Sequence, residues 1–67
     1  MRKMGWMEAQ KAALEEMAEI DIEVGKVMKE MPDIAPDDIF HDIVVGRLHG
    51  LPVEVANEVR RMTGVEA

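Results

Sequence analysis

Residues 6–31 read WMEAQKAALEEMAEIDIEVGKVMKEM, and the fold of the whole chain turns on how this stretch is read. Set out in sevens, it has three neighbouring columns that are mostly apolar. They are Trp6, Ala13, Ile20 and Val27; Met7, Leu14, Asp21 and Met28; and Gln10, Met17, Val24 and Met31. That period belongs to an amphipathic helix with a broad apolar stripe. Glu8, Glu15, Glu16, Glu19, Glu23, Lys26 and Glu30 fall mostly on the opposite side. The interior is rich in Ala, Glu, Leu, Met and Lys, which are strong helix formers. Glu8 suits the positive first turn, and Lys26 and Lys29 the negative last turn. Pro32 ends the helix, because the residue before a proline avoids the α region. At ~1.5 Å per residue such a helix is ~39 Å long.

A strand competes for part of this stretch. Ile20-Asp21-Ile22-Glu23-Val24-Gly25 alternates apolar and polar, the period of a half-buried strand. Gly25 also weakens a helix interior by about 1 kcal/mol relative to Ala. On that alternative, a strand near 20–25 pairs with Ile43-Val44-Val45 or Val53-Glu54-Val55 in a small α+β domain. Helix is the preferred reading, because the sevenfold columns continue on both sides of the segment.

Outward from this helix, the start signals repeat. Pro36 fits the first helical position, Asp37 and Asp38 the first turn, and Ile34 and Ile39 are spaced as a staple across the helix start. The second helix is expected over 36–48, with Ile39, Phe40, Ile43, Val44 and Leu48 as its buried stripe. Gly46 within it suggests a close helix crossing, and Gly50 a C-terminal cap. Pro52 restarts the chain at a first helical position, giving a third helix over 52–62 with Val55, Ala56, Val59 and Met62 on one face. Gly64 stops it, and 65–67 reads as a loose tail. Residues 1–5 carry no strong signal. The expected fold is all-α: one long amphipathic helix followed by a short helical hairpin, in a single domain over 1–67.

Sixty-seven residues bury a small core, so a monomer is marginal and such scaffolds gain from disulfides, a metal or a partner chain. Cysteine is absent, which excludes disulfides and thiolate metal sites. A stripe three columns wide along the long helix exceeds what two short helices cover, which points to completion by dimerisation. The chain carries eight Lys+Arg against fourteen Asp+Glu, a net charge of −6, and the second half is the more acidic. That balance favours solubility and disfavours non-specific binding to nucleic acid or acidic membranes. No run approaches the ~20 apolar residues of a membrane span. A cytoplasmic protein with no membrane association is expected.

Four groups of residues bear on function. Asp21 lies in the middle of an apolar column, where a carboxylate is costly unless paired. It is either a register-setting residue at an interface, with Arg47, Arg60 or His41 as partners within the chain, or a residue at the edge of a slightly rotated face. Asp37, Asp38, His41 and Asp42 share helix faces at spacings of four, a pattern that holds a divalent cation or simply caps a helix. Capping is the stronger reading, and His49 is the only other histidine. Residues 42–62 have the spacing of a helix-turn-helix, with Asn57, Arg60 and Arg61 as candidate nucleic-acid contacts. Glu54, Glu58 and the acidic balance oppose it. Met4, Met7, Met17, Met28 and Met31 form an adaptable apolar column suited to a protein partner or to a dimer core.

These features together predict a small acidic interaction or regulatory protein, a homodimer that binds another protein. The expected interface is Trp6, Met7, Leu14, Met17, Asp21, Val24, Met28 and Met31, and the expected acidic surface is Asp37, Asp38, Asp42, Glu54 and Glu58. A DNA-binding regulator and a metal-dependent enzyme subunit are the alternatives. No catalytic residue, metal or cofactor is expected, since the sequence has no Cys nucleophile, no Tyr and no Gly-rich phosphate loop after a strand.

Overall fold

In the computed structural model, which describes residues 5–66, three helices are present: α1 (Trp6–Glu30), α2 (Pro36–Leu48) and α3 (Val53–Thr63). No strand occurs among the described residues, and 20–25 lies inside α1. The alternating pattern there yields to the helix because Ile20 and Val24, four apart, turn to the same side, Ile20 fully buried and Val24 packed against the core. Met4, counted with the methionine column, and Ala67 lie outside the described residues.

Each helix starts and stops for a local reason. α1 ends where Met31 leaves helical geometry just before Pro32, while its N–H still bonds the Val27 carbonyl. α2 has Pro36 in its first turn beside Asp37 and Asp38, and Asp38 and Ile39 both donate to the Ala35 carbonyl. Ile39, one end of the expected staple, is buried, while Ile34 stays exposed. Pro52 flanks α3 rather than opening it, so that helix runs one residue later at each end than the spacing predicts. α2 closes with a tight turn in which the Gly50 N–H reaches the Arg47 carbonyl, and Gly50 keeps a negative φ. The left-handed cap falls at Gly64 instead, at φ 73°, where its N–H bonds the Arg60 carbonyl.

The core forms along α1. Ala9, Ala13 and Ile20 are buried on it, Ile39, Val44 and Leu48 on α2, and Val55, Ala56 and Val59 on α3. Both short helices make their main contacts with α1 and have little contact with each other. The expected hairpin of two short helices thus packs chiefly on α1 rather than on itself. Ala13 and Ile20 of α1 share one buried cluster with Val44 and Leu48 of α2 and Val55, Ala56 and Val59 of α3. The molecule measures 44 × 19 × 18 Å, and its long axis is set by α1.

Two further expectations change. Val65 is not part of a loose tail: it is buried in the main cluster, and its N–H is accepted by the Thr63 Oγ1 at 3.2 Å. The chain reverses at Gly64 and returns an apolar side chain to the core, a common companion of left-handed caps. Gly46 does not mark a close crossing, since a Cβ there would meet nothing within 4 Å.

Candidate functional site

The three columns of α1 separate in the folded chain. Ala13 and Ile20 are fully buried, and Met17 and Val24 pack partly against the core. Met7, Leu14, Asp21 and Met28 lie outside, with Met7 70%, Leu14 58% and Met28 41% exposed. Burial is centred on Ile20, so the column of Met7, Leu14, Asp21 and Met28, about 100° round the helix from it, turns to solvent as a block. Trp6, 70% exposed, and Met31, 50% exposed, project at the two ends of the helix. Of the eight residues expected at an interface, Met17 and Val24 therefore serve the chain's own core. The other six face outward.

Asp21 is exposed, at the solvent side of a rotated face. Arg47, one of its expected partners, is engaged elsewhere. Its guanidinium meets three carboxylates of α1: Glu16 at 2.9 Å, Glu19 at 3.1 Å and Glu23 at 3.2 Å. The carboxylates sit at spacings of three and four, hence on one helix flank, and Arg47 reaches them from the last turn of α2. The hydrogen bond with Glu16 is the main reason its pKa is raised, against a smaller opposing cost of burial; the bond with Glu23 and the charges of both carboxylates add to the rise. This clasp ties α2 to α1 through charge as well as packing. It was legible in part, since Glu16, Glu19 and Glu23 stand in register on one flank, but the sequence does not say which cation meets them.

Two open hollows adjoin the clasp between α1 and α2. One of about 300 Å³ is lined by Glu19, Ile22, Glu23, Lys26 and Arg47. The other, of about 270 Å³, is lined by Glu23, Asp42, Ile43, Gly46 and Arg47. Both are open to solvent, and Glu23 and Arg47, which line both, are paired with each other.

The remaining candidates are scattered. Asp37, Asp38, His41, Asp42 and His49 are exposed, and among the described residues no group of three or more His, Cys, Asp or Glu is placed to hold a metal ion. Glu54 and Glu58 are half-buried rather than fully exposed. Arg61 donates to Glu58 at 2.9 Å, which lowers the Glu58 pKa and raises that of Arg61. Arg60 donates to the Asn57 side-chain oxygen at 3.0 Å. All three candidate nucleic-acid contacts are thus engaged in bonds within α3 or beside an acidic neighbour. The weak contact between α2 and α3 also differs from a helix-turn-helix, whose two helices pack on each other.

Compared with known proteins, the chain matches no family model, no curated protein and no solved structure. Among the described residues, no helix is long and apolar enough to cross a membrane.

Proposed function

We propose that this protein is a small acidic interaction module that works by binding rather than by catalysis, self-associating through the outer stripe of α1 and engaging a further protein as a regulator. The observation that carries this reading is the contrast between two columns of one helix, each with members seven residues apart. The chain buries Ala13 and Ile20 completely, yet leaves Met7, Leu14 and Met28 in solvent together with Trp6. Scattered exposed apolar residues are ordinary, whereas several large ones along one side of a single helix in a small protein favour an interaction surface. Methionine, flexible and polarizable, suits such a surface. Asp37, Asp38 and Asp42, exposed along α2, offer a complementary face to a basic protein and would raise its rate of encounter at low salt.

Molecular mass in solution tests the self-association. By light scattering at micromolar concentrations the protein should run as a dimer, and Leu14→Glu should run as a monomer with unchanged helicity. A wild-type monomer, with Leu14→Glu indistinguishable from it, would remove the basis for the reading.

A further inference from the structure

We infer that the occupant of the outer α1 stripe is a second copy of this chain, paired antiparallel, with Leu14 and Ala18 at the centre and Lys11 of each copy beside Asp21 of the other. The inference rests on the stripe being an interaction surface and adds which partner it takes and in which direction.

The stripe has the form of a helix-pairing seam. Met7, Leu14, Asp21 and Met28 recur every seven residues, and Ala18 and Gly25 lie next to them, all exposed. Large side chains alternate with small ones, which lets a second helix settle closely. At Gly25 a Cβ would meet nothing within 4 Å, so the glycine answers no packing need inside its own chain. Sevenfold recurrence matches the 3.5-residue period of paired helices.

Asp21 sets the direction. Covered by another helix, its carboxylate needs a cation. Parallel pairing in register would place Asp21 against its own counterpart, two like charges at the middle of the seam. Antiparallel pairing avoids this and supplies the cation from the same sequence. Lys11 is exposed in the same sevenfold column as Ala18 and Gly25, ten residues before Asp21 and so about 15 Å away along its own helix. The two cannot meet within one copy. When the helices run opposite ways with residue 16 at the midpoint, Lys11 stands level with Asp21 of the other copy, and the contact occurs twice by symmetry. The same register sets Leu14 beside Ala18 and Met7 beside Gly25, large opposite small, and overlaps about 30 Å of helix. Lys29 also borders the stripe, but pairing it with Asp21 would centre the dimer on residue 25 and leave Met7 and Leu14 uncovered. Glu16, Glu19 and Glu23 lie on the other flank of α1, held by Arg47, so the net charge of −6 does not concentrate at this seam.

Sedimentation equilibrium on a charge-exchange series provides the test. Lys11→Glu and Asp21→Lys should each weaken the dimer about tenfold, and the double variant should recover to within about threefold of wild type. Both positions in the series are exposed, and helicity by circular dichroism serves as the folding control. The sequence contains no cysteine, so cross-linking gives an independent readout. An oxidised mixture of Met7→Cys and Gly25→Cys chains should yield chiefly the mixed disulfide dimer. A wild-type monomer overturns both this inference and self-association. A dimer indifferent to Lys11→Glu, or Met7→Cys chains that link to themselves as readily as to Gly25→Cys, overturns the antiparallel pairing alone and leaves the surface reading standing.

Discussion

At the residue scale, Arg47 joins α2 to α1 through three ion pairs. Its side chain is 29% exposed and Glu16 is 21% exposed, while Glu19 and Glu23 are 60% and 48% exposed. Only the Glu16 contact is sheltered enough to resist screening strongly. Arg47→Gln should therefore cost on the order of 1 kcal/mol, less in high salt, measured by urea unfolding at two ionic strengths. Arg47→Lys should not restore the loss, because a single ammonium cannot present the planar fork that meets three carboxylates. Glu58 makes a second prediction. Bonding to Arg61 lowers its pKa in the folded chain, so its contribution to stability is fully present above the unfolded carboxylate value. That contribution is lost as pH falls through the folded value. In a carboxyl NMR titration Glu58 should titrate below the ordinary glutamate range, and Arg61→Ala should return it there. An unchanged midpoint in Arg61→Ala would remove the pair as the cause.

At the scale of elements, the glycines separate into two kinds. Gly64 has φ 73° and a capping N–H bond to Arg60, a conformation that costs any residue with a Cβ. Gly25 and Gly46 lie inside helices with open space around them. Gly25→Ala and Gly46→Ala should each stabilise the monomer by about 0.5–1 kcal/mol, and Gly64→Ala should destabilise it by about 1 kcal/mol. Thermal melts of the three variants check the sign at each site, and a destabilised Gly46→Ala would reinstate the close crossing that its sequence context suggests. Helix boundaries were legible because proline, first-turn acids and a terminal glycine each act on their nearest neighbours. The burial of Val65 was not legible. Three residues after a stop signal carry no period, and their position depends on where the left-handed turn at Gly64 aims the chain.

At the scale of the molecule, adjacent columns of α1 have opposite duties. Ile20→Ala removes a fully buried side chain and should cost about 2–5 kcal/mol. That is comparable with the whole stability of a chain this size, roughly 3–10 kcal/mol, so the variant should be largely unfolded or melt far lower. Leu14→Ala, one column away and 58% exposed, should change the stability of the dilute monomer by under about 0.5 kcal/mol. A loss at Leu14 equal to that at Ile20 would mean that both columns are core.

The all-α class and the three helices follow from the sequence by itself, because helical period, propensity and terminal signals act over a few residues. The excess of apolar surface on α1 was also legible, since three columns are more than two short helices can cover. Which column stays uncovered was decided only in three dimensions. Trp6 and Ala13 stand in one column, as do Met7 and Leu14 in the next, and nothing local ranks one above the other. The ranking comes from where α2 and α3 dock. Ala13 and Ile20 join residues of both short helices in one buried cluster, and Arg47 ties α2 to the flank of Glu16, Glu19 and Glu23. Burial then centres on Ile20, and Met7, Leu14, Asp21 and Met28 are left facing outward.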